Sequence, residues 1–531
     1  MQKGGRMSLK KTRHHSISLK YHGFNRFISV SLIVFIVAGM YSLFAADGSD
    51  STKHWVGTWA ASAYKATSNT PSKTLTNNTL RQLVRVSIGG DTLRVKFSNI
   101  TYSSPISLKS VTIAKSPDGT KCPVDASTIT QLKFNGDSTV TINAKSEVYS
   151  DPVAFNLTPS MRLAITIYYG NCPSDQNMTF HYGSRTNSYW TEGNKTTSAD
   201  FSNPTTIQRW YTICAIDVLA PKTAGAVVCF GNSITDGYGL ADSPNQPGLQ
   251  NRWTDIFSER LLANTETAHV GVLNEGIGAT LVTRESNGAD AGTVRFQPDV
   301  LSQSGIRWII VLYGVNDIHA GVTANQVIDG YKALIAAAHA KNKDIKIYGG
   351  TLTPMGGDAG YNNDETARTT LNNWIRAAGN FDGVIDFDKA LRNPSTPTEM
   401  RSGLANGLHP SVAGYKVMGD SIDLSMFIDS TATGTTSLKM EKDNSFALEG
   451  FSVNTLNGHT SVAFNLPHES SVSMKVVSML GKEVMGIPGK TFSSGKHTVE
   501  FENRNIPNGT YLITVKAGNL SASKKVMFPA R

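Results

Sequence analysis

The segment between residues 224 and 428 alternates short apolar runs with longer helix-like stretches. The apolar runs read AGAVVCFGN, HVGVLNEG, RWIIVLYGVND, DIKIYGGTL and GVIDFD. Runs this compact are typical of strands that are buried on both faces of a parallel sheet. Between them lie NRWTDIFSERLLAN, ANQVIDGYKALIAAAHAKN and DETARTTLNNWIRAAG, and a last helix is predicted to start with Pro410 in its first turn. This alternation predicts right-handed βαβ units, and therefore an α/β domain with helices on both faces of the sheet.

Sequence with a β pattern flanks this segment on both sides. Residues 53–220 contain short runs such as LRQLVRVSIG and RLAITIYYG, separated by turn signals, which predicts a β-sandwich. Residues 429–445 are small and polar and are predicted to be a linker. Residues 446–531 return to short β-type runs, which predicts a second, small sandwich. Three domains agree with the length of 531 residues.

Basic residues are concentrated at the amino terminus. Residues 1–26 hold seven Lys and Arg and no acidic residue, which leaves +2 of the formal charge of +9 for the rest of the chain. We therefore infer no nucleic-acid partner from the charge. The apolar run that follows ends in small residues near Ala45 and Ala46, which is the order of a secretory signal peptide, here residues 1–46. An uncleaved membrane anchor over residues 27–45 is the alternative, and both take the bulk of the chain out of the cytoplasm.

The four cysteines suit an exported protein without requiring a disulfide framework. Cys122 and Cys172 stand in turn-like settings and are the pair that a disulfide would join. Cys214 and Cys229 lie within apolar runs and are expected to be buried as small hydrophobic residues. No Cys and His grouping has the spacing of zinc ligands, so no metal is expected.

Four features of the central domain fall at predicted strand ends or helix starts. Ser233 follows the first strand, the glycine-rich NEGIGAT follows the second, Asn316 follows the third, and His409 precedes the last helix. Active sites in open parallel sheets collect at the carboxyl ends of the strands. A serine hydroxyl becomes a nucleophile when an imidazole takes its proton, and the resulting oxyanion needs backbone or amide N–H donors. Each residue alone is common in a turn or a cap, but together they predict acyl transfer.

The same blocks resemble the SGNH, or GDSL-like, hydrolases. FGNSITDG, NEGIGA, YGVNDI and LHPSVAGY stand in the family's order, and HWVGTWAAS and QNRWTDIFSERL resemble a secreted bacterial subgroup with a β-rich domain before the hydrolase. The resemblance implies a three-layer, flavodoxin-like sheet over residues 224–428. It also implies that Ser233 is the nucleophile, that His409 is the general base, and that the backbone N–H of Ser233 and the Asn316 amide hold the oxyanion. No cofactor is implied.

Three positions depart from the family's pattern. Asn232 replaces the acid before the serine, where the side chain mainly supports the turn. The glycine whose N–H is expected in the oxyanion hole is Ala279, beside Gly278, and alanine adopts the required backbone conformation less freely. Asn406 replaces the acid three residues before the histidine. In the serine proteases an amide in place of that acid costs roughly 10⁴-fold in kcat. A main-chain carbonyl or the Asn406 oxygen can orient the ring in place of the acid, so a weak or unusually tuned enzyme is expected rather than an inactive one.

Two further polar residues, Asp236 and Arg252, lie close to the nucleophile in the sequence. We consider them, with Gly278, as candidates for contact with the substrate. A salt bridge or a helix-capping role is the alternative for the two charged side chains.

The carboxyl-terminal segment carries a second resemblance. FNLPHESSVSMKVVSMLGKEVM, NIPNGTYLITVKAG and SKKVMF resemble the sorting domain of the type IX secretion system, which the export machinery reads. An accessory sandwich that binds carbohydrate or spaces the enzyme is the alternative.

The sequence thus predicts a secreted or cell-surface serine esterase. By resemblance, its substrates are short acyl esters, acetyl above all, on plant polysaccharide, and we expect a monomer. A lysophospholipase or lipase is the first alternative, disfavoured because no long apolar lid segment interrupts the helices. A binding or adhesion protein whose hydrolase domain has weakened is the second.

Overall fold

The computed structural model describes residues 52–240, 250–428, 449–456, 459–466, 468–478, 483–503, 505–517 and 520–528. The predicted signal peptide, residues 1–46, and the predicted linker, residues 429–445, lie outside these ranges. The chain divides into two compact units, the first ending at Ala432 and the second beginning at Thr433. Among the described residues, no helix has the length and apolar character needed to span a bilayer.

Residues 53–221 form antiparallel sheets. The strands are β1 (Lys53–Ala60), β2 (Tyr64–Lys65), β3 (Asn78–Arg85), β4 (Gly90–Ser98), β5 (Ile106–Lys115), β6 (Thr130–Gln131), β7 (Val140–Ile142), β8 (Glu147–Tyr149), β9 (Val153–Leu157), β10 (Arg162–Tyr169), β11 (Thr179–His181), β12 (Ser188–Glu192), β13 (Thr205–Ile207), β14 (Trp210–Tyr211) and β15 (Ile213–Pro221). One sheet has the order β1-β15-β4-β8, with β9 also paired to β4. A second has the order β13-β12-β3-β10-β5-β6, with β7 paired to β5, and β14-β11-β2 form a third.

The two larger sheets share one hydrophobic cluster. Val95 and Phe97 of β4 belong to it, as do Ile165 and Ile167 of β10, and all four are fully buried. Alternate residues of a strand point to opposite faces, so the period-2 apolar pattern places one face of each sheet in this cluster. The β-rich region predicted for residues 53–220 is confirmed.

The two candidate disulfide cysteines lie on opposite faces of the second sheet. Cys122 packs in a small cluster with Leu83, whereas Cys172 belongs to the main cluster with Val84, the next residue along β3. Neighbouring residues of a strand point to opposite sides, so the sheet separates the two thiols. All four cysteines are free and buried, and burial raises the pKa of the Cys122 thiol to about 11. The predicted pairing of Cys122 with Cys172 is therefore wrong.

The segment from residue 225 to residue 428 is an α/β domain. Its parallel strands are β16 (Gly225–Gly231), β17 (Val270–Gly276), β18 (Ile306–Leu312), β19 (Lys346–Gly350) and β20 (Gly383–Ile385). Its helices are α1 (Ser233–Asp236), α2 (Trp253–Ala263), α3 (Gly292–Arg295), α4 (Val315–His319), α5 (Ala324–Lys341), α6 (Glu365–Arg376), α7 (Phe387–Leu391) and α8 (Val412–Ser421). A short hairpin, β21 (Ala405–Asn406) with β22 (His409–Pro410), precedes α8.

The parallel sheet has the order β17-β16-β18-β19-β20. Counted from the first strand, this is the 2-1-3-4-5 order of flavodoxin-like folds, in which ligands bind at the carboxyl ends of the strands. Every residue of β16 is buried, which is why its sequence is a continuous apolar run. The predicted three-layer α/β fold is confirmed.

The last helix begins later than the sequence suggested. Pro410 lies in β22, and α8 starts at Val412 with Ser411 as its N-cap. The Ser411 hydroxyl accepts a hydrogen bond from the backbone N–H of Gly414 at 3.2 Å. A serine cap satisfies an N–H of the first turn, and this outweighs the preference of proline for the first helical position.

The β-rich region and the α/β domain are packed together within the first unit. Strand β1 lies against β17, and the Gly57 N–H donates to the Ser304 carbonyl at 2.9 Å. A buried polar network also joins them, because Ser62 donates to Glu275 at 2.5 Å and Arg295 donates to the Ser62 hydroxyl at 2.8 Å. The architecture changes near residue 224, but the β-rich region and the α/β domain share one hydrophobic core.

The second unit is built from two antiparallel sheets. Its strands are β23 (Glu449–Leu456), β24 (His459–Leu466), β25 (Ser470–Ser478), β26 (Glu483–Phe492), β27 (Gly495–Glu502), β28 (Gly509–Ala517) and β29 (Leu520–Phe528). The sheet orders are β23-β24-β27 and β26-β25-β28-β29. Alternate residues of β25 and β28, such as Val472, Met474, Ile513 and Val515, form the core. The predicted small sandwich is confirmed.

We predict that Gly271→Ala destabilises the first unit. A Cβ atom at residue 271 would lie 2.3 Å from the Gly57 carbonyl oxygen, so β1 would have to move away from β17. Overpacking of this kind costs about 1–3 kcal/mol. All seven tryptophans lie between residues 55 and 374, so the midpoint of urea unfolding followed by tryptophan fluorescence measures this unit.

Gly357→Ala is the matched control for this change, because nothing lies within 4 Å of the Cβ position there. Equal midpoints for the two variants would contradict the packing of β1 on β17.

Candidate active site

Ser233 stands at the carboxyl end of β16, the second strand in the order of the parallel sheet. The strand ends at Gly231, Asn232 follows in an extended conformation, and Ser233 begins the single turn of α1. A Cβ atom at Gly231 would lie 2.5 Å from the Leu312 carbonyl, so the tight turn requires glycine here. The Asn232 side chain accepts from the Ile234 N–H at 3.1 Å and supports the turn, as the sequence suggested.

His409 lies directly beside this serine. Its Nε2 is 2.9 Å from the Ser233 Oγ, although 176 residues separate the two in sequence. The ring of Tyr238 packs against the imidazole, with 4.5 Å between the ring centroids. A distance of 2.9 Å is within direct proton-transfer reach, so this pair has the geometry of a hydroxyl nucleophile with its base.

The turn after β17 lies against the same serine. The Cβ position of Gly278 is 3.8 Å from the Ser233 Cβ. Ala279 has a φ of 60°, so this alanine holds the left-handed conformation that glycine adopts more readily. The Gly278 carbonyl accepts from the Asn287 amide at 2.8 Å, and the Ala279 carbonyl accepts from the Ser286 hydroxyl at 2.9 Å. These bonds fix the peptide planes of the turn.

Asn316 is placed by the first turn of α4, after β18. Its amide donates one hydrogen bond to the Thr280 carbonyl at 3.0 Å. The next residue, Asp317, is buried and accepts from the backbone N–H groups of Val282 and Thr283 at 3.0 and 3.1 Å. Burial raises the pKa of Asp317, and these hydrogen bonds oppose the shift. No pattern in the sequence indicated this anchor, which joins the second and third blocks.

These groups meet in one cleft of about 350 Å³. Its lining includes Ser233, His409, Gly278, Ala279 and Asn316. The remaining lining residues are Tyr64, Asn69, Tyr182, Asp236, Tyr238, Asn287, Tyr361 and Leu408. A hydroxyl, an imidazole, an amide and a strained turn thus converge where the order of the blocks predicted.

Two family models match the chain. Residues 229–417 match the GDSL-like Lipase/Acylhydrolase family, and residues 454–528 match the Secretion system C-terminal sorting domain. Within residues 229–417 the chain carries a GDSL-like lipase/acylhydrolase domain. It is a carboxylic ester hydrolase domain. The sorting domain indicates type IX secretion, so the protein is secreted or held at the cell surface.

Solved structures are similar to this chain at low identity. A member of the lipolytic protein G-D-S-L family from Veillonella parvula DSM 2008 is 20% identical, with 37% of this chain and 96% of that chain covered and a TM-score of 0.27. A carbohydrate acetylesterase from Sinorhizobium meliloti is 16% identical, with 37% of this chain and 94% of that chain covered and a TM-score of 0.29. A family two carbohydrate esterase from Clostridium thermocellum is 13% identical, with 68% of this chain and 96% of that chain covered and a TM-score of 0.30. None of the curated proteins compared with the chain matches it.

Asn406 lies at the position where the resemblance to the GDSL-like hydrolases implies an acid. It is exposed, and it pairs in register with His409 across the short hairpin of β21 and β22. The hairpin therefore brings residue 406 next to His409, but with an amide in place of a carboxylate.

Asp236, the last residue of the turn that begins with Ser233, is buried. Its carboxylate accepts from the Arg185 guanidinium at 2.7 Å and faces the His181 Nε2 at 3.2 Å. Burial alone would raise the pKa of Asp236, but Arg185 and His181 outweigh it and hold the pKa well below its usual range. Both partners belong to the β-rich region, and no pattern in the sequence connects them to residue 236.

Arg252 is buried beside Asp236. It donates to the Asp236 carbonyl at 3.0 Å, to the Gly183 carbonyl at 2.9 Å and to the Ser184 carbonyl at 3.0 Å. A Cβ atom at Gly183 would lie 1.7 Å from Asp236 Oδ1, so the backbone approaches the carboxylate as only glycine permits. The charged groups of Asp236 and Arg252 are thus bonded within the protein. These bonds support the salt-bridge alternative for both side chains. Asp236 also lines the cleft, so its contact with the substrate stays a prediction.

We predict that Asp236→Asn destabilises the first unit at neutral pH by about 3–5 kcal/mol, because it leaves Arg185, whose side chain is only 9% exposed, without its counter-ion. The native pKa is depressed, so the stabilisation is complete above the unfolded value of about 4 and is lost as the pH falls through the native value. The difference between wild type and variant in urea unfolding should therefore be constant from pH 6 to pH 8 and shrink below about pH 4.

Asp329→Asn removes an exposed carboxylate that pairs only with Lys332 among the described ion pairs, so it is the control. Its expected effect is under about 1 kcal/mol. A difference for Asp236→Asn that stays the same down to pH 3 would contradict the ionised, buried pair.

Proposed function

We propose that this chain is a serine esterase that removes short acyl groups, acetyl above all, from plant polysaccharide. The observation that carries the proposal is the 2.9 Å contact between Ser233 Oγ and His409 Nε2, within one cleft with Ala279 and Asn316. The match to the GDSL-like family supports ester hydrolysis, and the sorting domain supports action outside the cell.

In the proposed mechanism, His409 Nε2 takes the hydroxyl proton while Ser233 Oγ bonds to the ester carbonyl carbon. The carbonyl oxygen becomes an oxyanion, which accepts hydrogen bonds from the backbone N–H groups of Ser233 and Ala279 and from the Asn316 amide. The bond to the alcohol then breaks, and the imidazolium gives its proton to the departing oxygen. A water molecule that His409 deprotonates attacks the acyl-serine, and the acid and the free serine are released.

The lining of the cleft supports a carbohydrate alcohol. Four tyrosines and two asparagine amides surround the serine: Tyr64, Tyr182, Tyr238, Tyr361, Asn69 and Asn287. Aromatic rings offer flat apolar faces with a polar tip, and amides bind hydroxyl groups. Tyr64, Asn69 and Tyr182 come from the β-rich region, so that region forms one wall of the proposed binding site.

Rates on p-nitrophenyl esters of increasing acyl length, together with acetate release from acetylated xylan, pectin and mannan, test this function. We expect acetate esters to be hydrolysed fastest, with at least a tenfold fall by octanoate. Ser233→Ala should lose about 10³-fold or more of kcat, because the nucleophile is removed and only the oxyanion donors remain.

The alternatives give different results in these assays. Equal rates for wild type and Ser233→Ala would contradict the esterase and leave a binding protein. Faster hydrolysis of long-chain esters would favour the lipase or lysophospholipase.

A further inference from the structure

The position of the proposed base depends on a turn of four residues. Asn406 pairs with His409 across the hairpin, Gly407 has a φ of 62°, and Leu408 is buried. A shift of the peptide between Gly407 and His409 would move the imidazole relative to Ser233. Misplacement of a reacting group by about 1 Å can cost on the order of 10²-fold in rate.

Asp358 holds this turn from a different part of the chain. Its Oδ2 accepts from the Leu408 N–H at 3.2 Å. A Cβ atom at Gly407 would lie 3.2 Å from the same oxygen, so the carboxylate lies over the peptide that joins Gly407 to Leu408. The other oxygen, Oδ1, accepts from the Gly360 N–H at 3.0 Å and fixes the carboxylate on its own loop.

The loop that carries Asp358 is itself anchored in the cleft. The Asp358 carbonyl accepts from the Tyr361 N–H at 2.9 Å, and the Asp358 N–H donates to the Met355 carbonyl at 3.1 Å. Tyr361 lines the cleft and stacks on His319, with 3.9 Å between the ring centroids. The carboxylate therefore connects the wall of the cleft to the turn that carries the base.

The charge of Asp358 has the sign that the reaction needs. When His409 takes the serine proton it becomes an imidazolium, and a nearby carboxylate favours the protonated form. Asn406, three residues before the histidine, is neutral. Asp358 accepts a hydrogen bond from Leu408, the residue before His409, and thus places a negative charge beside this turn.

From these contacts we propose that Asp358 is a positioning residue for His409, which holds the base through Leu408 and offsets the missing acid at residue 406. This inference rests on the proposed function. It explains how a chain with Asn406 can retain an oriented base.

A double-mutant cycle on p-nitrophenyl acetate tests this role with Asp358→Ala, Asn406→Asp and the two changes combined. We expect Asp358→Ala to lower kcat about 10- to 100-fold with little change in KM, because the carboxylate orients His409 and does not contribute to binding of the ester. Asn406→Asp restores a carboxylate beside His409. We therefore expect it to raise kcat at least tenfold in the Asp358→Ala background, and by a clearly smaller factor in the wild-type background.

Asp329→Ala is the control, and thermal melting shows whether each variant is folded. If Asp358→Ala does not fold, Asp358→Leu replaces it in the cycle, because leucine fills the space of the carboxylate but cannot accept the hydrogen bond from Leu408. An unchanged kcat in the Asp358 variant, or the same factor for Asn406→Asp in both backgrounds, would overturn the inference alone. Equal rates for wild type and Ser233→Ala would overturn the proposed function and this inference with it.

Discussion

The common direction of the five strands is the constraint on which the candidate active site depends. Because β16 to β20 are parallel, their carboxyl ends lie along one edge, and the turns that follow them face the same side. Ser233 follows β16, Ala279 follows β17 and Asn316 follows β18. Residues far apart in sequence therefore meet although no short sequence motif contains them all. His409 joins them from the hairpin before the last helix.

The β-rich region is a structural part of this site. A buried carboxylate is costly unless it is paired and hydrogen-bonded, and Asp236 finds both partners, Arg185 and His181, outside the α/β domain. Tyr64 and Tyr182 of the same region line the cleft. The turn that carries Ser233 thus rests on residues that precede the α/β domain in sequence. Under the proposed function, the substrate would contact both regions at once.

Much of the fold and part of the site could be predicted from the sequence. Strands buried on both faces have continuous apolar sequences, so β16 to β18 and the turns that follow them could be located. Ser233 and Asn316 lie in these turns and were located with them. The contacts of Asp236 could not be predicted, because they depend on how the β-rich region packs across more than 50 residues of sequence. Asp358 was missed for the same reason, since no periodicity relates its loop to Leu408. The disulfide prediction was wrong because turn-like sequence does not reveal which face of a sheet a cysteine occupies.

The central claim is that Ser233 is a nucleophile activated by His409. An alkyl fluorophosphonate tests it directly, because the serine oxygen displaces fluoride from phosphorus and remains bonded to it. Mass spectrometry of the digested protein should then find a single adduct on the peptide that contains Ser233, with labelling slowed at least 100-fold in His409→Ala. An adduct on a different residue, or equal labelling rates for the two proteins, would contradict the claim.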